Sequence, residues 1–399
     1  MSHWTGRSQP GKPPLRISAA FPKHRRRYLV VLTMVAVAAG SLSFAGLASA
    51  NGGWKWSKGQ SLQGSSSSSV IEGLSCPSTS LCLIPANQNG ETDTGVYWSA
   101  DPTGGAREWH FLAVPSPFGG DIACDQVGVS SYYCDVAGNS LWTSGSPTTA
   151  WNPENFQNYY DTSTYTALGA VSCWANVQCI EADGSGNIFS TDAAAVQSGP
   201  VAVFPQLTDY AGPSVGCAPF TQGETVFCAA VESNPGSSGR GGEVAWSTDP
   251  ASGTWTTGDT TGGSDLKDIV CASDTLCVAL EGGAGEAAYI GVSREPATGT
   301  TWGQTWKAAH VPTVGSFDPT LSALTCYSDS LCAISGQNTR ENFVYISRHP
   351  AAKLSAWSKS KLHDGAPSSF ETSAAGIACP SLSECIVVSG EGQVSVGRP

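Results

Sequence analysis

The sequence predicts an all-β protein, a seven-bladed β-propeller of four-stranded blades, each clasped by a local disulfide, with the ring closed by an amino-terminal strand. Three observations carry this reading. Fourteen cysteines fall into seven close pairs: Cys76 with Cys82, Cys124 with Cys134, Cys173 with Cys179, Cys217 with Cys228, Cys271 with Cys277, Cys326 with Cys332, and Cys379 with Cys385. Their first members recur 44 to 55 residues apart. Each pair opens a similar run of short apolar strands and glycine-rich turns. The last run, ending "GQVSVGRP" at 399, stops one strand short, while "NGGWKWSKGQSL" at 51–62 reads as a strand with no blade of its own.

The first strand of each unit places Leu74, Ile122, Val171, Val215, Ile269, Leu324 or Ile377 two residues before the first cysteine. The residue between is mostly small, as in Ser75, Ala123, Ser172 and Gly216, so one face of this strand packs tightly. The second strand follows the second cysteine as an apolar run such as "CVAL" or "CIVV". The third alternates with period two, as in "GVYWSADP", "GEVAWSTDP" and "FVYISRHP". The fourth carries Trp109, Trp151, Trp255, Trp302 or Trp357, with Phe204 in that place in the third unit. Four strands in about fifty residues make a propeller blade. Residues 53–60 are then expected to pair with the strand around "GQVSV", leaving only short protected edges.

Local pairing of all the cysteines in an exported chain argues for disulfides. Zinc is the alternative, but its ligand pairs usually sit closer, and the four histidines after residue 50 (His110, His310, His349 and His363) are scattered. A closed loop of about seven residues is worth roughly 2.4 kcal/mol in the chain-entropy account. No metal and no cofactor is expected.

Export is read from the first fifty residues. They hold 7 of the 20 Lys and Arg residues and none of the 32 acids, then the uncharged run 28–50 ending Ala48-Ser49-Ala50. A basic region, an apolar core and a small-residue ending describe a signal peptide cut after Ala50. The competing reading is a retained anchor, since 23 uncharged residues can just span a bilayer. "RRRYL" loosely resembles a twin-arginine signal, a route for folded proteins against which the cysteines argue. Residues 51–399 form one domain with a net charge of −19. Such a surface repels nucleic acid and anionic membranes; it also simply keeps an exported protein soluble.

The segments "SADPTGGAREW" (99–109) and "STDPASGTW" (247–255) resemble degenerate Asp-boxes, the S-x-D-x-G-x-x-W turns of sialidase-like (BNR) propellers and of photosystem II assembly factor-like repeat proteins. With "SCPSTSLC" and "CVAL", the stretch 53–399 resembles exported bacterial propellers whose blades carry a cysteine pair. The resemblance implies a fold, because Asp-boxes in that superfamily are structural turns. The chain departs from the pattern where Arg294, Arg348 and Arg398 stand in the place of Asp101 and Asp249, and where the third unit reads "STDAAAV".

Two function classes stay open. One is an exported glycoside hydrolase or lyase of sialidase-like fold, which the resemblance implies would use three arginines and a tyrosine nucleophile. Arg107, Arg294, Arg348 and Arg398 occupy the repeated turn, leaving only Arg240 and Arg340 in loops between second and third strands. A paired-carboxylate site would instead draw on Glu72, Asp121, Asp268 and Glu286 near the central channel, acids that read equally as solvated strand ends. The chain has no G-x-S-x-G, no H-E-x-x-H and no phosphate-cradling loop, and "DGSGN" at 183–187 reads as a tight turn. No catalytic residue is assigned.

The other class, which the sequence favours, is a non-catalytic binding module for an envelope glycan or surface protein, acting as a monomer. It rests on the aromatic loop 151–169, where Tyr159, Tyr160, Asp161 and Tyr165 offer flat faces beside hydrogen-bonding groups. Arg240 and Arg340 join them as candidate ligand contacts on the same face, beside loops 233–242 and 311–322. The same rings, Phe156 above all, read also as packing between two blades.

Overall fold

The computed structural model describes residues 53–65, 69–71, 73–88, 93–114, 120–138, 141–153, 168–174, 178–192, 195–204, 213–219, 226–232, 243–259, 266–281, 288–296, 309–310, 319–338, 341–352, 354–363 and 374–399. The chain divides into Met1–Ala50, outside the described residues, and Asn51–Pro399. The second unit is a ring of seven antiparallel sheets in which successive strands pair with their neighbours. Blade 6 is representative, its strands Thr320–Ser328, Leu331–Gln337, Asn342–Ser347 and Trp357–Lys361 running from the channel outward. In blade 1 the innermost strand is interrupted, as Val70–Ile71 and Ser75–Ser78.

Closure is as the sequence predicts. Lys55–Trp56 and Gln60–Ser61 both pair with Gln393–Arg398, supplying blade 7 with its outermost strand. The register sets Trp56 against Gly397, where even a Cβ would come within 2.7 Å of the indole. Glycine here is a packing requirement.

Among the described residues the buried apolar side chains form seven clusters, one at each seam between neighbouring blades. Both faces of the inner strands are therefore covered, which is why second strands such as Val226–Glu232 and Leu276–Glu281 are buried at every position and read as continuous apolar runs. The aliphatic residue two before each first cysteine is buried in all seven blades.

All seven cysteine pairs form the disulfides expected of them, each joining the first strand of a blade to its second. Cys76 is bonded to Cys82, Cys124 to Cys134, Cys173 to Cys179 and Cys217 to Cys228. Cys271 is bonded to Cys277, Cys326 to Cys332 and Cys379 to Cys385, which leaves no cysteine free. The insertions that lengthen the loops at Cys134 and Cys228 change nothing in the bridge: Cα atoms are 4.0 to 4.1 Å apart in every blade. The ladder explains this, because Cys124 and Cys134, like Cys217 and Cys228, are directly opposed across the two strands. Replacing Cys326 and Cys332 together by alanine is expected to destabilise the fold by about 2 kcal/mol. Denaturant unfolding measures it; an unchanged midpoint would show that the bridge only decorates the hairpin.

The fourth-strand aromatics need one correction. Trp357 pairs with Ser347 at the end of the third strand, and Trp109 stands beside the His110–Trp98 pair. In blade 3, Phe204 is fully buried but follows the strand Ala195–Ala202, past the Asn187–Ala202 pair. The residue opposite Thr191 is Val196, so Phe204 fills the seam from the other end of the strand. Asp192, at the end of the third strand, pairs with Ala195 only three residues on, so the sequence has no room there for the segment that carries tryptophan elsewhere. Trp302 lies outside the described residues.

Turns after the third strands share one construction. Ser99, Ser144, Ser247 and Ser347 each accept, through the hydroxyl, the backbone N–H of the residue two further on, at 3.0 to 3.2 Å. That bonded residue is Asp101, Ser146, Asp249 or His349, so serine organises the turn and the position after next tolerates several side chains. Arg348 is the residue between, one place earlier than the aspartate whose position the sequence pattern gave it, and Arg294 likewise directly follows Ser293. These arginines tie blades together: Arg294 donates to the Ala351 carbonyl and Arg348 to the Leu382 carbonyl at 3.1 Å, each in the following blade. "DGSGN" closes as a turn, the Asp183 carboxylate accepting the N–H groups of Ser185 and Asn187 at 2.9 Å.

Candidate functional site

At one mouth of the central channel lies a cavity of about 420 Å³, walled by the starts of the innermost strands. One residue from each blade, three before its first cysteine, borders it. Blades 1 and 7 contribute Gly73 and Gly376, blades 3 and 6 Ala170 and Ala323, and blades 2, 4 and 5 Asp121, Ser214 and Asp268. Space explains the small ones. A Cβ on Gly376 would come within 2.8 Å of Leu74, and one on Gly73 within 3.1 Å of the Asp121 carboxylate.

The polar ones serve as staples between blades. Asp121 accepts the N–H of Ile122 on its own strand at 2.8 Å and that of Val171 in blade 3 at 3.4 Å. Ser214 accepts the N–H of Ile269 in blade 5 at 3.2 Å and donates its hydroxyl to Asp268 at 2.8 Å. Asp268 accepts the N–H of Leu324 in blade 6. Where this position carries no polar atom, the serine two residues later takes over. Ser75 accepts the Cys124 N–H at 3.1 Å and Ser172 the Cys217 N–H at 2.9 Å. Every seam from blade 1 to blade 6 thus has a side chain that satisfies a backbone donor of the next blade, as buried N–H groups require.

Stapling leaves net negative charge at the mouth. Burial, then the repulsion of Asp268, pushes the Asp121 carboxyl up to about 7 against the N–H groups of Ile122 and Val171, which favour its ionised form. Burial raises Asp268 to about 6, opposed by the Ser214 hydroxyl and the N–H groups of Ile269 and Leu324. Lys267, exposed on the rim, is the one cation among the described lining residues. Two carboxyls that titrate near neutrality in a concave site can hold a cationic group when ionised, or exchange a proton.

Of the acids singled out in the sequence, Asp121 and Asp268 meet at this mouth, while Glu72 and Glu286 lie outside the described residues. So do all six ligand-contact candidates, Tyr159, Tyr160, Asp161, Tyr165, Arg240 and Arg340. Sequence reasoning missed a second acidic group. Asp135 in blade 2 and Glu181 in blade 3 are fully buried and meet across a seam at the Thr191 hydroxyl, 3.2 Å from Asp135 Oδ2 and 2.7 Å from Glu181 Oε1. The signal was an acid inside an apolar strand, in "CDVA" and "CIEA". Cys173 and Cys179 lie beside Asp135, but their sulfurs are joined in a disulfide and supply no metal ligand. Glu232, opposite Glu243 in blade 4, is buried as well, and burial followed by the Glu243 charge raises it to about 7.

No family model and no curated protein matches the chain. Solved structures match its fold. YCF48 bound to D1 peptide is 10% identical with a TM-score of 0.54, the match covering 87% of this chain and 97% of that one. YCF48 from Cyanidioschyzon merolae is 13% identical at 0.57, over 87% and 98%. A catalytically inactive virginiamycin B lyase from Staphylococcus aureus with quinupristin is 10% identical at 0.57, over 87% and 99%. At such identities the likeness is one of architecture. One architecture carries a peptide complex and a lyase, so the choice between classes falls to the site.

Proposed function

We propose that the protein is an exported, rigid binding module whose channel mouth receives a positively charged side chain of a polypeptide partner. The single observation that carries this is the pair Asp121 and Asp268 at one repeat position of a preformed cavity, with Lys267 alone among the described lining residues to answer them. The seven disulfides fit an oxidising compartment outside the cell. A peptide on a neighbouring propeller supports a protein partner over the glycan alternative at this mouth. Ring closure and seam staples keep the site preorganised, which lowers the cost of binding.

Calorimetric titration of the oxidised chain with short peptides bearing a central lysine or arginine tests this reading. Binding is expected to be tighter at pH 8 than at pH 5, because Asp121 and Asp268 ionise as pH rises through about 6 to 7. The Asp121→Asn/Asp268→Asn variant, which removes both charges at nearly unchanged size and keeps one of the two oxygens at each position, is expected to bind at least about tenfold more weakly, or about 1.4 kcal/mol. Equal affinity in that variant would refute the assignment.

A second reading, glycoside hydrolysis or lyase chemistry, draws on the same pair, since separated carboxyl pKa values suit an acid and a base. Turnover of any glycoside that vanishes in Asp121→Asn would replace the binding role with this one.

A further inference from the structure

Blade 4 carries a row of acids. Glu232 ends the second strand, Val226–Glu232, and stands directly opposite Glu243, the first residue of the third strand, Glu243–Ser247. Glu243 is paired in turn with Asp259, the last residue of the fourth strand, Thr256–Asp259. Three acids at one level of adjacent strands set like charges directly opposite each other, which destabilises a sheet unless something offsets them.

No protein cation does so among the described residues: those of blades 3 and 4 include no Lys, Arg or His. Ala230 is paired with Ala245, and both belong to the apolar cluster between these two blades. Side chains alternate along a strand, so Glu232 and Glu243, each two residues from one of those alanines, face the same seam. From blade 3 the cluster receives Val203 and Phe204, which bring no charge to it. Glu232 is 1% exposed, and its Oε1 is buried without a hydrogen-bond partner. A proton on Glu232, which burial and then the Glu243 charge favour, lessens the repulsion but still leaves Oε1 without a partner.

We propose that this row binds one calcium ion, Glu232 and Glu243 supplying carboxylate oxygens from neighbouring strands. Calcium takes about six to eight oxygen ligands in flexible geometry, so backbone carbonyls and water can complete the shell. Magnesium demands near-ideal octahedral geometry and sheds water reluctantly, which suits a buried carboxylate less well. The burial of Glu232 admits an ion more readily than the long stem of a partner's lysine. Neither glutamate lines the channel mouth, so either site can fail alone. Nothing in the cysteine and histidine pattern announces this metal, because its ligands are carboxylates that meet only across strands.

Calorimetric titration of the oxidised full chain, stripped of metal by a chelator, with calcium chloride tests the site. A single ion is expected to bind with a dissociation constant of about 0.1 to 1 mM, the range of extracellular calcium modules. Glu232→Gln and Glu243→Gln, each close in size to the native side chain, are expected to weaken binding at least about tenfold. Asp121→Asn/Asp268→Asn leaves it unchanged. Absence of calcium binding, or full affinity in Glu232→Gln, overturns the site. Loss of binding in the channel-mouth variant places the ion there and overturns it equally. Magnesium chloride binding as tightly overturns the choice of calcium.

Discussion

A chain lacking residues 51–62 unfolds far below the temperature of the intact protein. The deletion removes the outermost strand of blade 7, with pairs Lys55 to Arg398, Trp56 to Gly397, Gln60 to Val394 and Ser61 to Gln393. It removes the Ser57 N–H to Val396 carbonyl bond and the Val396 N–H to Ser57 hydroxyl bond, at 2.8 and 2.9 Å. Trp54 and Trp56, packed with blades 6 and 7, and Leu62, packed with blades 7 and 1, go with it. Truncating one buried tryptophan costs about 3 to 5 kcal/mol, and a whole domain is stable by about 5 to 15. The loss therefore approaches the entire stability of the ring. Gly397→Val gives the same effect without shortening the chain, since its Cβ already meets the Trp56 ring at 2.7 Å. Thermal scans of both variants measure it, and an unchanged melting temperature for the deletion would disprove closure by this strand.

Stability is expected to be greatest near pH 5 and to fall towards pH 8. The Thr191 hydroxyl has one proton to give, yet it lies within bonding distance of both Glu181 and Asp135. The second contact needs a proton on a carboxyl, and burial, followed by the charge of Asp135, holds Glu181 well above the usual carboxylate range. Asp121, Asp268 and Glu232 are raised too, to about 7, 6 and 7. For each, the folded chain keeps a proton that the unfolded chain releases near pH 4, so unfolding free energy falls as pH rises from about 4 to 7. Below that window both states are protonated and the penalty is absent. Glu341 works the other way: the hydrogen bond from Lys359 lowers its pKa, so its contribution is lost in acid, below about pH 4.5. A tenfold change in proton affinity is worth about 1.4 kcal/mol, and the partial exposure of Asp121 and Asp268 reduces their share. The sum is a few kcal/mol, or several degrees in melting temperature. Glu181→Gln, whose amide can donate to Asp135 and accept from Thr191, should raise the pH 8 midpoint and flatten the profile. A midpoint that climbs between pH 5 and 8 would contradict this account.

The strands, their order and the disulfides were legible because each is written locally. A cysteine pair six residues apart, such as Cys271 and Cys277, and an aliphatic residue two before it report on one hairpin, and seven repetitions average out the exceptions. Phe204 shows the limit of that method. It is aromatic and buried as expected, but register depends on how many residues separate the third strand from the fourth, and a shorter separation slid the pattern. The cluster Asp135, Thr191 and Glu181 was half legible: an acid within an apolar run announces a buried charge, without naming the partner that makes it tolerable.

The sequence by itself determined the all-β class, seven blades, the pairing of every cysteine and the strand that closes the ring. It marked Asp121 and Asp268 as acids near the channel. Only the tertiary structure decided that these two and Ser214 bond to the backbone of the following blade and face one cavity. The physical reason is range. Burial along a strand repeats every two residues and leaves its trace in the chain, whereas contacts across a seam join residues some fifty positions apart whose meeting depends on how the whole ring closes.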